Sequence, residues 1–136
     1  MPLASTARRR VLGALAGALA LPAAARAAPR PPPVVTILGD SITAGYGLEP
    51  ALALPARLQA ALDRLHAPAR VRGAGVFGDT AEGGLERVDR DVAGDTAVCV
   101  VLLGANDVLL GVPPARTERA LRGVVEHLTR RGIAED

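Results

Sequence analysis

The sequence has 136 residues and a formal net charge of +2, and all sixteen of its basic residues are arginine. Without the four arginines that precede residue 28, twelve arginines stand against fourteen acidic residues, which gives a net charge of −2. Two aromatic residues argue against a basic, aromatic-rich surface that binds nucleic acid. One cysteine excludes a disulfide within the chain.

Residues 1–27 have the order of an export signal. Three arginines at 8–10 precede an apolar run at 11–21, and the alanines at 25 and 27 fit a small-x-small cleavage site. The run is shorter than the roughly 20 residues that span a bilayer, so no stable membrane span is expected. Consecutive arginines before the run are typical of a twin-arginine signal, with general secretion as the alternative. We therefore expect an exported protein, periplasmic or secreted, with a proline-rich linker at 28–33.

Three strands are predicted after the linker. Continuous apolar or β-branched residues indicate a strand at 34–38, a weak one at 70–72 and a third at 96–103. Cys99 lies in the third run, and we expect it to be a packed core thiol. The last helix is followed only by "GIAED", so no further strand is expected.

Three helices alternate with these strands. Apolar residues at helical spacing predict helices at 53–65, from Asp79 onward, and at 115–131. Asp79 and Glu82 have the spacing of a capping box, which makes Asp79 the expected N-cap. Gly132 is the expected C-terminal stop of the last helix. The alternation predicts an α/β fold with a parallel sheet and right-handed crossovers.

Three polar stretches follow the three predicted strands. They read "GDSIT" at 39–43, "GVFGDTAEGGLERV" at 75–88 and "GAND" at 104–107. The carboxyl ends of parallel strands share one edge of a sheet, so Ser41, Gly78 and Asn106 are expected to converge there. Acyl transfer needs a hydroxyl nucleophile and N–H donors that receive the developing negative charge. The backbone N–H groups of Ser41 and Gly78 and the side-chain amide of Asn106 are such donors.

Together, the three stretches resemble the GDSL, or SGNH, hydrolase family, above all its small bacterial branch of thioesterases, lysophospholipases and arylesterases. The resemblance covers about residues 34–133 and marks 34–136 as a partial SGNH hydrolase domain. It implies a flavodoxin-like three-layer sandwich with a parallel sheet, of which only about three of five strands are present. It further implies Ser41 as the nucleophile, and Ser41, Gly78 and Asn106 as the oxyanion hole.

The implied activity is hydrolysis of a small-molecule or lipid ester or thioester, without a metal or an organic cofactor. The family takes its general base from an Asp-x-x-His segment near the C-terminus, and this sequence contains no such segment. His127 lies about 12 residues into the last helix, which places it on the order of 18 Å from the active edge. His66, at the end of the first helix, is equally remote. The resemblance therefore implies an ester hydrolase that is incomplete in this chain.

Two other hypotheses stay open. A non-catalytic, truncated remnant would leave the third strand as an apolar edge, which would favour self-association. Alternatively, Gly73, Gly75 and Gly78 satisfy the Gly-x-Gly-x-x-Gly pattern of dinucleotide-binding modules. Asp79 argues against that pattern, because it would repel a pyrophosphate at the helix N-terminus.

Four further residues stand close to the motifs. Asp40 and Asp107 are expected to accept hydrogen bonds from nearby backbone N–H groups in turns and caps. Tyr46 and Phe77 are the two aromatic residues of the sequence. They are expected either to line an acyl pocket or to serve ordinary packing.

Overall fold

The computed structural model describes residues 29–135, so the predicted export signal and the first residue of the linker lie outside the described residues. The strands and helices alternate along the chain, with short helices directly after two of the strands. In chain order they are β1 Val34–Gly39, α1 Ser41–Ala44, α2 Leu54–Arg64, β2 Arg70–Gly75, α3 Ala81–Asp91, β3 Thr96–Leu102, α4 Ala105–Leu109, α5 Pro114–Arg130 and β4 Ala134–Glu135.

The four strands form one parallel sheet in the order β2-β1-β3-β4. Helices α3 and α5 pack together on one face, and α2 packs against β2 on the other. The predicted α/β fold with a parallel sheet is therefore confirmed. No helix among residues 29–135 has both the length and the apolar content needed to cross a membrane.

The expectation that no strand follows the last helix is wrong. After Gly132, whose φ of 69° reverses the chain, Ile133 is buried and its N–H donates to the Leu128 carbonyl oxygen at 3.0 Å. This anchor directs Ala134 and Glu135 along β3, where they pair with Val98 and Cys99. The described chain thus has four strands, not three, and within it the β3 edge beyond Cys99 is not paired by β4.

Strand β2 is twice as long as predicted, because its backbone pairs with β1 along its whole length. The register runs from Val34 opposite Arg70 to Gly39 opposite Gly75. Glycine has a low strand propensity, but the hydrogen bonds of a neighbouring strand override a weak local preference. The carboxyl ends of β1 and β2 consequently finish side by side.

The main core lies between the sheet and the α3–α5 pair. Its fully or almost fully buried residues come from four elements and two connecting segments: Leu38, Val88, Val92, Cys99, Val124, Leu128 and Ile133. The predicted burial of Cys99 is confirmed, and burial raises the pKa of its thiol above the ordinary range. This core holds the helices that follow the candidate site residues.

Candidate active site

The carboxyl ends of β1 and β2 are joined directly. The Val76 N–H donates to the Gly39 carbonyl oxygen at 3.0 Å. At Gly75 the first turn of α1 approaches so closely that a Cβ there would lie 2.3 Å from the Ala44 nitrogen. Glycine is therefore required at position 75, because no side chain can be accommodated between the two segments.

Ser41 is the first residue of α1, immediately after β1. Asp40 is the N-cap, and its Oδ1 accepts a hydrogen bond from the Ile42 N–H at 2.9 Å, which confirms its predicted cap role. Among the hydrogen bonds of residues 29–135, none involves the Ser41 N–H or Oγ. The half-buried hydroxyl and the first N–H of the helix both remain available to a substrate.

Gly78 lies at the end of a tight turn after β2. The Asp79 N–H donates to the Val76 carbonyl oxygen at 3.2 Å, and Gly78 itself has a φ of 74°. That left-handed conformation favours glycine over any residue with a Cβ. In the described part of the chain, the Gly78 N–H donates no hydrogen bond, and the residue is exposed.

Asn106 connects the segments that carry the other two candidates. Its Nδ2 donates to the Asp79 carbonyl oxygen at 2.7 Å and to Asp40 Oδ2 at 3.3 Å. Asp79 follows Gly78, and Asp40 precedes Ser41. The structure therefore brings the three predicted residues together at one edge of the sheet. The contact to Asp40 is the longer and therefore the weaker of the two.

Asp107 is buried and holds α4 in place. Its Oδ2 accepts from the Ala81 N–H at 2.8 Å, and its Oδ1 accepts from Thr117 Oγ1 at 3.0 Å. The carboxylate thus accepts from a backbone N–H at the start of α3, 26 positions away in sequence, and not from a nearby N–H of its own turn as predicted. By joining α3 and α5 to α4, Asp107 also positions its neighbour Asn106.

The predicted N-cap of α3 is wrong by one residue. The cap is Thr80, whose Oγ1 accepts from the Gly83 N–H at 3.2 Å. The Asp79 carboxylate instead forms an ion pair with Arg87, whose Nε lies 2.8 Å from Asp79 Oδ2. An ion pair with a buried guanidinium outweighs a cap bond that threonine can make equally well.

The glycine pattern that raised the dinucleotide hypothesis has another structural basis. Gly73 lies within β2, where a Cβ would be 2.8 Å from the ring of Pro55 on α2. Gly75 makes room for α1, and Gly78 forms the turn. Asp79 lies one residue before the N-cap of α3, and its carboxylate disfavours a second anion there.

Neither histidine contacts Ser41. His66 is exposed in the residues that follow α2, and His127 Nδ1 lies 2.9 Å from Asp89 Oδ2, between α5 and α3. Both therefore lie away from the site, as predicted. Within residues 29–135, no side chain forms a hydrogen bond with the Ser41 hydroxyl as a general base would.

Tyr46 and Phe77 contact each other on the surface beside the site. Their ring centroids are 4.7 Å apart, and the rings are tilted by 45°. Tyr46 is 74% exposed and Phe77 is 65% exposed. Packing in the core therefore does not explain the pair. Each residue is near a candidate donor in sequence. Phe77 directly precedes Gly78, and Tyr46 lies two residues after the end of α1, which begins at Ser41.

Arg87 joins these segments, although it is not among the predicted site residues. Its side chain is 6% exposed, and it lies on the face of α3 that carries the buried Gly84 and Val88. The signal was present, because a charged residue on the apolar face of a helix must find buried partners. Those partners come from β1, β2 and the turn after β2, which local patterns do not reveal.

Comparisons with known proteins identify the relatives of this chain. Residues 37–135 match the family model of the GDSL-like lipase/acylhydrolase family. The chain is 36% identical over 91 residues to thioesterase 1/protease 1/lysophospholipase L1 of Escherichia coli K12, covering 66% of this chain and 42% of that protein. It is 35% identical over 97 residues to esterase TesA of Pseudomonas aeruginosa, covering 71% and 48% respectively.

A solved structure gives the same result. The SGNH-hydrolase family esterase AlinE4 superposes with a TM-score of 0.71 and 37% identity, covering 79% of this chain and 59% of that one. The chain spans about half the length of the curated relatives it matches. With the family model matched across both the sheet and the candidate site, this chain belongs to the GDSL-like lipase/acylhydrolase family.

Proposed function

We propose that this chain carries the nucleophile and the oxyanion hole of a serine ester hydrolase. The observation that carries the proposal is the position of Asn106, whose amide joins the segments of Ser41 and Gly78. Two backbone N–H groups and one side-chain amide at a single sheet edge form a set of donors suited to a developing oxyanion. The esterases and the thioesterase among its relatives support the same reaction class.

In the proposed reaction, Ser41 Oγ attacks the carbonyl carbon of an ester or thioester and its proton passes to a base. The carbonyl oxygen becomes an oxyanion and accepts hydrogen bonds from the Ser41 and Gly78 N–H groups and from Asn106 Nδ2. Collapse expels the alcohol or thiol, which takes up a proton, and leaves an acyl-serine that water hydrolyses. No base is assigned among residues 29–135, so we propose that the chain by itself is catalytically incomplete.

The proposed substrate is a small-molecule or lipid ester or thioester. Tyr46 and Phe77 form an exposed apolar surface beside the proposed nucleophile. Exposed aromatic pairs bind apolar groups well, because binding removes their apolar surface from water. An acyl chain bound across these rings would leave its carbonyl group close to the three donors.

Labelling of the serine tests the proposal most directly. Ser41 is the only serine after Ser5, so a fluorophosphonate adduct in the domain is assigned unambiguously by peptide mass. We expect slow labelling of Ser41 and weak hydrolysis of p-nitrophenyl acetate, both lost in Ser41→Ala. Asn106→Ala should lower any Ser41-dependent rate by about 100- to 1000-fold.

The opposite outcome favours the non-catalytic alternative. If the folded chain neither labels at Ser41 nor shows a rate that Ser41→Ala removes, it is a remnant that keeps the fold without the reaction. Hydrolysis that persists undiminished in Ser41→Ala would exclude Ser41 as the nucleophile.

We also propose that the protein is exported, on the basis of residues 1–27 alone. The arginines at 8–10 and the apolar run at 11–21 have the order of an export signal. Fusion of residues 1–33 to a reporter that is active only after export tests this proposal. Replacement of Arg8 and Arg9 by lysine distinguishes twin-arginine export, which it should block, from general secretion, which tolerates it.

A further inference from the structure

Arg87 makes a set of hydrogen bonds that no other arginine among residues 29–135 makes. Its Nη2 donates to the Gly39 carbonyl oxygen at 2.8 Å, and its Nη1 donates to the Ala74 carbonyl oxygen at 3.0 Å. Its Nε donates to Asp79 Oδ2 at 2.8 Å, and Nη1 also reaches Asp91 Oδ2 at 3.0 Å. The planar guanidinium therefore joins the ends of β1 and β2 to the residue after Gly78.

These contacts extend to all three proposed oxyanion donors. Gly39 lies two residues before Ser41, and Asp79 lies directly after Gly78. Asn106 reaches the same residue, because its Nδ2 donates to the Asp79 carbonyl oxygen at 2.7 Å. Asp79 is thus held by Arg87 through its carboxylate and by Asn106 through its backbone.

We propose that Arg87 is a positioning residue that sets the spacing of the Ser41, Gly78 and Asn106 donors. It acts through Gly39 and Asp79 and touches no substrate atom. This inference rests on the proposed function for its kinetic consequence, but its structural consequence does not depend on turnover. An oxyanion hole requires its donors within a few tenths of an ångström, so a small displacement removes much of its effect.

Two substitutions at Arg87 test the proposal. Arg87→Lys keeps the charge but cannot bond to two carbonyls and a carboxylate in one plane. Arg87→Ala removes the group and leaves a cavity into which guanidinium ion can bind. Arg90→Lys is the matched control, since Arg90 lies on the same helix, is exposed, and forms an ion pair with Asp91.

The first readout is the NMR signal of the Gly78 amide and of the Asn106 side-chain amide. In folded Arg87→Lys and Arg87→Ala we expect both signals to move. In Arg90→Lys we expect both signals to stay at their wild-type positions. In Arg87→Ala, guanidinium at tens of millimolar should move both signals back to their wild-type positions, whereas urea at the same concentration should not. Unmoved signals in the folded Arg87 variants would overturn the proposal, as would signals that guanidinium fails to restore.

The second readout is the Ser41-dependent esterase rate. We expect kcat to fall by about 10- to 100-fold in both Arg87 variants, with KM within about twofold of wild type, because the lost interaction acts in the transition state. An unchanged kcat in a folded Arg87 variant would contradict the proposal. If wild type has no Ser41-dependent rate, the proposed function fails, and the NMR readout alone decides the role of Arg87.

Loss of folding is also decisive. Should Arg87→Ala unfold, Arg87→Lys supplies the answer. If both variants unfold while Asp79→Asn stays folded with unmoved Gly78 and Asn106 signals, Arg87 supports the whole fold and the positioning role is overturned. If Asp79→Asn instead moves those signals and Asp91→Asn does not, the link through Asp79 is established.

Discussion

The two faces of the sheet are packed by different means. On the α3–α5 face, Leu38, Val124 and Leu128 are completely buried. On the α2 face, helix α2 contributes no buried residue at all. Ile37 is buried there, but Leu102 is 37% exposed, and Val98 and Val100 are only half-buried.

Polar contacts hold α2 where apolar contacts hold α5. Gln59 Oε1 accepts from the Val71 N–H at 2.8 Å, and Gln59 Nε2 donates to the Ala69 carbonyl oxygen at 3.0 Å. The Gln59 side chain thereby connects the middle of α2 to the start of β2 by two hydrogen bonds. The two faces thus combine a dense hydrophobic core with a half-buried helix that a glutamine side chain also bonds to the sheet. We expect mutations to separate these two modes.

The largest effect should come from truncation of a buried leucine on the α3–α5 face. Leu128→Ala should lower the free energy of unfolding by about 3 kcal/mol, because it leaves a cavity among fully buried neighbours. Leu62→Ala, on half-buried α2, should lower it by about 1 kcal/mol. Urea denaturation with unchanged m-values measures both, and equal losses would refute the contrast between the faces.

Removal of the glutamine on α2 should have the next largest effect. Gln59→Ala should lower the free energy of unfolding by about 1–2 kcal/mol, since two backbone groups lose their partners. Arg57→Ala, at an exposed position of the same helix, is the control and should change stability by less than about 0.5 kcal/mol. A Gln59 variant as stable as this control would show that α2 docks without the polar contacts.

A pH-dependent effect should follow on the α3–α5 face. Burial raises the pKa of Cys99, so the folded protein holds the thiol proton at a pH where the unfolded chain releases it. Stability should be unaffected well below the ordinary thiol pKa and should fall above it, by up to about 1.4 kcal/mol per pH unit. Cys99→Ala should show a shallower decline between about pH 8 and 10; identical slopes would exclude this origin.

The smallest effect on stability should come from the exposed part of β3. We expect the chain to self-associate through this edge, because Leu102 is apolar and β4 pairs only Val98 and Cys99 in the described residues. Leu102→Lys should raise the concentration at which oligomers appear in size-exclusion chromatography. It should change the free energy of unfolding by less than about 0.5 kcal/mol. A wild-type chain that stays monomeric at every concentration would contradict this expectation.

The elements predicted correctly are those with strong local patterns. The β1 and β3 runs consist almost entirely of apolar or β-branched residues, and α5 has leucine and valine at helical spacing. The two strands misjudged lack such a pattern. β2 contains two glycines, and β4 has two residues whose pairing depends on burial of Ile133. Both strands exist because a neighbouring strand completes their hydrogen bonds.

By itself, the sequence determined the order of strands and helices and the three polar stretches at the strand ends. Apolar periodicity and glycine turns are local properties, so they can be read without knowledge of the fold. Only the tertiary structure placed Asn106 against Asp79 and Asp40, and Arg87 against Gly39. These contacts join residues 27 to 66 positions apart, and their formation depends on the way the parallel strands align at one edge.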